Sequence, residues 1–128
     1  MLHNMLKILI ADDHEFIRKG LKQILIDEFS PVHIGEAEDT NKLLELASME
    51  EWNIIISDIS MPGKGGLEAL SILKKQQPHI PVLMLSIYPK DQYADNVLSA
   101  GAAGYLNKDS APAELVQAVK AILNEDGM

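Results

Sequence analysis

Five short apolar runs, each followed by a stretch with helical spacing, constrain the fold of this chain more than any other feature. Runs rich in Ile, Leu and Val are typical of parallel strands, because a parallel sheet buries both of its faces. Their alternation with helices favours right-handed crossovers and a helical layer on each side of the sheet. The predicted strands are residues 6–11, 32–37, 53–58, 81–85 and 103–106.

A helix is expected after each predicted strand. Asp39 or Thr40 should cap the second helix, because their side-chain oxygens accept from free backbone N–H groups. The third helix should end near Gln76, since a proline follows two residues later. The fourth helix has little apolar surface, whereas apolar spacing indicates the fifth clearly. The fifth should begin near Ser110 and fray from Asn124.

These elements predict an α/β fold, a flavodoxin-like doubly wound sheet of five parallel strands in the order 2-1-3-4-5 with five helices. The length of 128 residues suits one domain. We expect the domain to span residues 1–124. Residues 125–128 are expected to form a C-terminal tail, where a linker would begin.

The charge balance and the missing residue types argue against several functions. Eleven basic and 19 acidic residues give a net charge of -8, which opposes binding to nucleic-acid phosphates. The chain has no cysteine for disulfides or thiolate metal sites. No apolar run approaches the roughly 20 residues of a membrane span, and no signal-peptide pattern is present. We therefore expect no direct nucleic-acid partner, no membrane partner and a cytoplasmic location.

Polar residues follow four of the predicted strands at the point where each strand ends. The carboxyl ends of parallel strands share one edge of the sheet, and ligands of open α/β sheets bind there. The predicted order makes the first and third strands neighbours, so their acids should be adjacent. The residues that this pattern brings to one edge are Asp12, Asp13, Asp58, Ser86 and Lys108.

Three carboxylates at one edge need a cation, because two unit charges about 4 Å apart repel by about 4 kcal/mol at an effective dielectric of about 20. Mg²⁺ suits such a site, since it uses one or two protein carboxylates and keeps positions open for a phosphate. Lys108 and Ser86 would contact phosphoryl oxygens. The sequence therefore predicts a site for Mg²⁺ and a phosphoryl group.

Asp58 is the predicted nucleophile, because a carboxylate can attack phosphorus and form an acyl phosphate. The turn that begins at Met61 is expected to leave its carboxylate accessible. Asp12 and Asp13 would then hold the metal. A simpler alternative stays open for these two acids, since they precede a helix and could stabilise its N-terminus by roughly 0.3 to 1 kcal/mol.

Three segments resemble the signature segments of bacterial response-regulator receiver domains. They are ILIADDH at 8–14, DISMPGKGGLE at 58–68 and GAAGYLNKD at 101–109. The segment 85–109 is most similar to receivers of the NarL/FixJ type, which usually carry a C-terminal helix-turn-helix DNA-binding domain. No such domain is expected in this chain. The resemblance implies that a sensor histidine kinase transfers a phosphoryl group to Asp58.

The resemblance also implies how the Mg²⁺ ion is held. Asp12 would support it through a water molecule. The implied direct ligands are the carboxylates of Asp13 and Asp58 and the backbone carbonyl of Ser60.

A switch in surface shape is the implied response to phosphorylation. The new charge would pull Ser86 and Lys108 inward. Tyr105, at the position of the family's switch aromatic, would then turn inward and alter the surface of the fourth helix, fifth strand and fifth helix. The expected readout is homodimerisation or an effector contact that controls transcription. The chain would catalyse its own phosphorylation and dephosphorylation without being an enzyme for a separate substrate.

Some positions depart from the commonest receiver pattern. Ile87 stands where a small residue often follows the switch hydroxyl, Gly65 where Asp is frequent, and Asp109 where proline often follows the lysine. Ile87, with Tyr88 and Ser60, would narrow the path of an attacking water. We therefore predict a long-lived phosphoryl group on Asp58.

Two other functions compete with the switch. A Mg²⁺-dependent phosphohydrolase of haloacid-dehalogenase type also uses an Asp at a strand end, but Ile59 and Ser60 replace its Asp-x-Asp motif. An interaction module without phosphorylation would not need the full set of acids, hydroxyl and lysine. The histidines share no metal-ligand spacing and are interpreted as surface or satisfied residues, with His14 nearest the site.

Overall fold

The computed structural model describes residues 5–61, 63, 65–87 and 90–127. In this part of the chain, strands and helices alternate as the apolar runs predict. The strands are β1 (Leu6–Ala11), β2 (Val32–Ala37), β3 (Ile54–Asp58), β4 (Val82–Ser86) and β5 (Gly104–Asn107). The helices are α1 (Glu15–Phe29), α2 (Thr40–Met49), α3 (Gly66–Gln76), α4 (Lys90–Ser99) and α5 (Ala111–Gly127).

All five strands form one parallel sheet in the order β2-β1-β3-β4-β5, which confirms the predicted topology. The central strands β3 and β4 are buried along their whole length, as their unbroken apolar runs require. Ala11 of β1 lies beside Ser57 of β3 in this register. The residues that follow these two strands therefore come together at the carboxyl edge.

Two apolar layers enclose the sheet. Alternate residues of each strand face opposite sides, so Ile8 and Ile56 pack with α1 and α5, whereas Leu9 and Ile55 pack with α2 and α3. Within the described residues, no helix has both the length and the apolar character needed to cross a bilayer. The helices instead bury one face each against the sheet.

Several predicted boundaries were wrong by one residue or more. β4 includes Ser86 and β5 includes Asn107, because these two residues pair with each other in the ladder. α5 continues to Gly127, beyond Asn124, where the sequence predicts that the helix begins to fray. The assignment of residues 125–128 to a tail stays a prediction.

Helix α2 begins as its sequence predicts. Asp39 is the N-cap, and its carboxylate accepts a hydrogen bond from the backbone N–H of Lys42 at 2.8 Å. Helix α3 has a different start, since its N-cap Gly65 has a φ of +91°, a conformation that favours glycine. The next residue, Gly66, donates its backbone N–H to the carbonyl of Ile59 at 2.9 Å. This contact holds the start of α3 against the segment that follows Asp58.

Replacing Gly66 should test how closely α3 approaches this segment. A Cβ atom at position 66 would lie 2.6 Å from the carbonyl carbon of Ile59, so Gly66→Ala should destabilise the fold by about 1 to 3 kcal/mol. Urea unfolding measures the change.

Gly20 provides the matched control. A Cβ atom there meets nothing within 4 Å, and alanine is favoured over glycine inside a helix such as α1. Gly20→Ala should therefore stabilise the protein by roughly 0.5 to 1 kcal/mol. Equal effects of the two substitutions would contradict the close packing at Gly66.

Candidate functional site

The sheet brings the predicted polar residues to one edge and buries most of them. Asp12 and Ser86 are fully buried, Asp58 is 2% exposed and Lys108 is 9% exposed. Two backbone hydrogen bonds tie neighbouring strand ends together, from Ile59 N to the carbonyl of Leu85 and from Lys108 N to the carbonyl of Ser86, both at 2.8 Å. The main chain therefore fixes the spacing of these side chains.

The ammonium group of Lys108 bridges the two buried carboxylates. Its Nζ lies 2.8 Å from Asp12 Oδ2 and 3.0 Å from Asp58 Oδ2. The contact with Asp58 is a hydrogen bond. The contact with Asp12 is an ion pair that is slightly shorter than the contact with Asp58. Lys108 thus compensates two charges that the fold removes from water.

Burial and this bridge shift the pKa values of the pair. Burial raises the pKa of Asp58, although the hydrogen bonds from Lys108 and from the backbone N–H of Ser60 oppose the increase. Burial alone would lower the pKa of Lys108, but the neighbouring carboxylates of Asp12 and Asp58 raise it above its ordinary value. The lysine is therefore held firmly in its charged form, whereas ionised Asp58 carries a desolvation cost.

Helix capping does not account for the acids that precede α1. His14 is the N-cap residue, and the helix has no side-chain cap. The Asp12 carboxylate accepts from the backbone N–H of His14 at 2.8 Å, so its oxygen bonds ahead of the helix rather than within its first turn. Asp13 is an exposed residue, with 33% of its side chain accessible. One carboxylate oxygen of each acid lies within 4.8 Å of an Asp58 oxygen.

An arginine network behind Asp12 was not predicted from the sequence. Arg18 donates to the backbone carbonyl of Asp12 at 2.7 Å and to Glu36 at 2.8 Å. Lys22 also donates to Glu36, at 3.0 Å. Partial burial raises the pKa of Glu36, but the hydrogen bonds from Arg18 and Lys22 lower it to a greater extent. The network links β2 and α1 to the backbone of Asp12. No sequence motif indicates it, because Arg18 and Glu36 lie 18 residues apart.

The predicted switch residues lie at the ends of β4 and within β5. Ser86 is beside Asn107 in the ladder, and Tyr105 is beside Met84. Tyr105 is only 5% exposed and belongs to the apolar cluster that includes Val97. Its ring is therefore buried in this structure, whereas the sequence predicts an inward turn only after phosphorylation.

The prediction that Asp58 is accessible was wrong for this conformation. Met61 is itself buried, and the Asp58 carboxylate is covered and paired with Lys108. Ser60 is exposed, and Ile87 is 64% exposed and so is not packed over the carboxylate. Tyr88 lies outside the described residues. The access-tuning role of these three residues stays a prediction.

The donor set at the edge fits a divalent cation. Asp12, Asp13, Asp58 and His14 each offer one ligand atom, and these four atoms lie within 4.8 Å of one another. Oxygen atoms from carboxylates are the donors that Mg²⁺ prefers. The fourth group is an imidazole. The sequence places His14 near the site but does not mark it as a possible ligand, because the histidines share no metal-ligand spacing.

Comparison with known proteins decides the family of the chain. The family model described as "Response regulator receiver domain" matches residues 8–120. The chain belongs to the receiver domain family of response regulators. This result confirms the resemblance and favours a receiver over the alternative phosphohydrolase.

The relatives are regulators of the NarL/FixJ type, as the segment 85–109 predicts. The response regulator GacA of Pseudomonas aeruginosa is 35% identical over 118 residues, which are 92% of this chain and 55% of GacA. The transcriptional regulatory protein DegU of Brevibacillus brevis is 37% identical over 119 residues, 93% of this chain and 50% of DegU. The chain thus spans about half the length of the curated relatives it matches.

Solved structures confirm the fold. A CheY-like receiver domain protein from Methanospirillum hungatei is 30% identical and superimposes with a TM-score of 0.87, covering 97% of this chain and 98% of that one. The RcsB response regulator of Salmonella typhimurium is 26% identical with a TM-score of 0.88, covering 96% of this chain and 62% of RcsB.

Removing the charge of Asp58 should stabilise the protein. Because the folded state raises the pKa of Asp58, ionised Asp58 begins to lower stability as the pH rises past its ordinary pKa of about 4, and the cost is complete above the raised value. Near neutral pH, Asp58→Asn should raise the free energy of unfolding by on the order of 1 kcal/mol. Urea titrations across the pH range should show the difference vanish below about pH 4.

Lys108→Met should have the opposite effect. It leaves Asp12 and Asp58 buried without their cation, which should cost about 3 kcal/mol near neutral pH. Adding Asp58→Asn to this variant should recover part of that loss. A stable Lys108→Met protein would contradict the charge bridge.

Proposed function

We propose that this receiver domain accepts one phosphoryl group on Asp58 from a sensor histidine kinase and signals by the resulting change in its surface. The observation that carries the proposal is the bridge from Lys108 to Asp12 and Asp58 at the carboxyl edge of the sheet. It places a permanent cation against the carboxylate that would receive the phosphoryl group. Such positioning and charge neutralisation are most of what phosphoryl transfer requires.

The transfer would use side chains that the fold already holds in place. An Asp58 carboxylate oxygen attacks phosphorus, the bond from phosphorus to the kinase imidazole nitrogen breaks, and the imidazole leaves with the electron pair and takes up a proton. Lys108 then shares its charge with the phosphoryl oxygens, and the Ser60 N–H continues to orient Asp58 from 3.1 Å. Because Asp58 is covered in this structure, the acceptor must be uncovered when the donor docks.

Mg²⁺ is the proposed cofactor. When bound, it would neutralise the charge on the oxygens around the transferred phosphorus. Asp13, Asp58 and the backbone carbonyl of Ser60 are the proposed direct ligands, and Asp12 would act through water. The carboxylate donors and the partial exposure of Asp13 support this arrangement. By the same chemistry, the chain would promote its own phosphorylation and dephosphorylation.

The proposed switch couples the site to the face formed by α4, β5 and α5. The hydrogen bond from Lys108 N to the carbonyl of Ser86 links the two phosphoryl-binding residues through the main chain. Tyr105 is already inward here, so phosphorylation would stabilise this position against an outward one rather than create it. This is a two-state element biased by local charge.

The output is proposed by comparison with longer relatives. RcsB of Salmonella has been solved bound to promoter DNA in the presence of the phosphomimetic BeF3-. For this chain we propose phosphorylation-dependent homodimerisation that would control a DNA-binding output domain, with no direct nucleic-acid contact by the receiver itself. Its net charge of -8 supports the last point. We also propose a cytoplasmic location, where the catalytic parts of sensor kinases act.

Phosphorylation should depend on Asp58 and on Mg²⁺. Wild-type protein incubated with Mg²⁺ and a small phosphodonor should gain the mass of one phosphoryl group, and Asp58→Asn should gain none. Intact mass spectrometry measures both. Asp27→Asn, which changes an exposed acid on α1, is the control and should behave as wild type.

Multiple turnover of a phosphate ester, or a mass gain that survives in Asp58→Asn, would reject the proposal. The first result would favour the phosphohydrolase. The second would place the acceptor elsewhere.

Ser86→Ala should uncouple phosphorylation from the surface change. The variant lacks the hydroxyl that would contact the phosphoryl group, so it should still accept one on Asp58 but dimerise more weakly. Light scattering of phosphorylated wild type and variant compares the dimers. Ser71→Ala, which removes an exposed hydroxyl on α3, is the matched control. If Ser86→Ala dimerises like wild type, Ser86 does not carry the coupling.

A further inference from the structure

The backbone of Asp12 is held on both sides by neighbours that have no part in the proposed function. Its N–H donates to the carbonyl of Ala37, at the end of β2, at 2.9 Å. Its carbonyl accepts from Nη1 of Arg18, on α1, at 2.7 Å. Rotation of the peptide group between Asp12 and Asp13 would break this short, charge-assisted hydrogen bond. A side chain of α1 therefore fixes the peptide that follows Asp12.

Glu36 on β2 holds the guanidinium group of Arg18 in this direction. Arg18 Nε donates to Glu36 Oε1 at 2.8 Å, and Lys22 Nζ donates to Glu36 Oε2 at 3.0 Å. The side chains of Arg18 and Glu36 are only 12% and 21% exposed, so water competes little for the contact. A guanidinium is a rigid planar fork, so the bond at Nε also fixes where Nη1 points. The fork thus joins β2 and α1 to the Asp12 carbonyl.

The carboxylate of Asp12 takes its orientation from the same stretch of backbone. Its Oδ1 accepts from the backbone N–H of His14 at 2.8 Å. Its Oδ2 lies 2.8 Å from Lys108 Nζ, which lies 3.0 Å from Asp58. Rotation of the peptide between Asp12 and Asp13 would displace the His14 N–H and release Oδ1. The contact of the Asp12 carboxylate with Lys108 would then change as well.

We infer that Arg18 is a positioning residue for phosphoryl transfer. Its bond to the Asp12 carbonyl holds the Asp12 carboxylate against Lys108 and so keeps the ammonium group beside Asp58. The inference rests on the proposed function of Asp58 as the acceptor. Arg18 would act only through Asp12. Because a displacement of about 1 Å can slow a reaction by about a hundredfold, losing this bond should affect the rate more than the fold.

The alternative is that Arg18 serves only to attach α1 to β2 through its charge. The direction of its guanidinium would then not matter. Lys19 and Lys22 also lie near Glu36, at 3.8 Å and 3.0 Å. Charge alone does not require a third cation at one carboxylate. The bond to the Asp12 carbonyl is the contact that distinguishes Arg18 from these two lysines.

Two substitutions of Arg18 test the inference through the rate at which a small phosphodonor and Mg²⁺ phosphorylate the full chain. Arg18→Met removes the donor to Asp12, so the rate should fall by roughly ten- to a hundredfold. Arg18→Lys keeps the charge but lacks the fork that joins Glu36 to Asp12. It should remain slower than wild type by about tenfold or more. Intact mass spectrometry at timed intervals measures the rates.

Lys120→Met is the matched control. Lys120 pairs with Glu28 at 3.1 Å and so ties α5 to α1 near the end of α1 far from Asp12. This variant also loses an ion pair between two elements, but it should be phosphorylated at the wild-type rate. Urea unfolding checks that all three variants fold. If Arg18→Met does not fold, Arg18→Lys decides the question by itself.

The carboxyl carbon of Asp12 gives a readout that a loss of stability alone does not change. In carbon NMR spectra of the unphosphorylated protein without added metal, its resonance should move by more than its line width in Arg18→Met and in Arg18→Lys. It should stay in place in Lys120→Met. The spectrum of Asp12→Asn assigns the resonance.

Three results would overturn the inference. An unmoved Asp12 resonance in Arg18→Met would mean that Arg18 does not position the carboxylate. A wild-type rate in Arg18→Lys would mean that only the charge matters, and equal slowing in Lys120→Met would mean that the rate follows stability. If wild type takes up no phosphoryl group on Asp58 but the Asp12 resonance still depends on Arg18, the proposed function fails and the positioning of Asp12 stands.

Discussion

The ammonium group of Lys108 is the interaction on which the site depends. Two carboxylates, Asp12 and Asp58, are removed from water at the end of the sheet, and one lysine compensates both. A buried ion pair of this kind adds little stability compared with apolar packing, but losing one partner is costly. The Lys108 ammonium group is therefore better explained by a role in function than by a contribution to stability. The proposed phosphoryl group on Asp58 would bring new negative oxygens to a cation that is already in place.

The main chain fixes the position of Lys108 relative to the end of β4. Lys108 begins where β5 ends, and its N–H bonds to the carbonyl of Ser86 at the end of β4. In the proposed switch, movement of the Lys108 ammonium group toward a phosphoryl group would be passed to the strand that carries Ser86. Tyr105 lies two residues before Asn107, the ladder partner of Ser86, and packs in the same apolar layer as Met84. Because packed cores accept discrete arrangements rather than continuous ones, a small shift at Lys108 would favour one position of this ring.

Much of the fold was predictable because its signals are local. The apolar runs at β1 and β2 gave the observed bounds, and Asp39 caps α2 as its residue type predicts. The errors involve long-range contacts. Ser86 extends β4 because Asn107 pairs with it across the sheet.

The sequence predicted which residues lie together at the site, but not their burial or their contacts. Strand ends and sheet order were enough to bring Asp12, Asp58 and Lys108 together. They could not reveal that Asp58 is covered, because burial depends on how the segment around Met61 packs. They also could not reveal His14 as a candidate ligand. The position of the His14 ring, 3.0 Å from Asp12 Oδ1, depends on the path of the backbone before α1, where the His14 N–H also donates to Asp12.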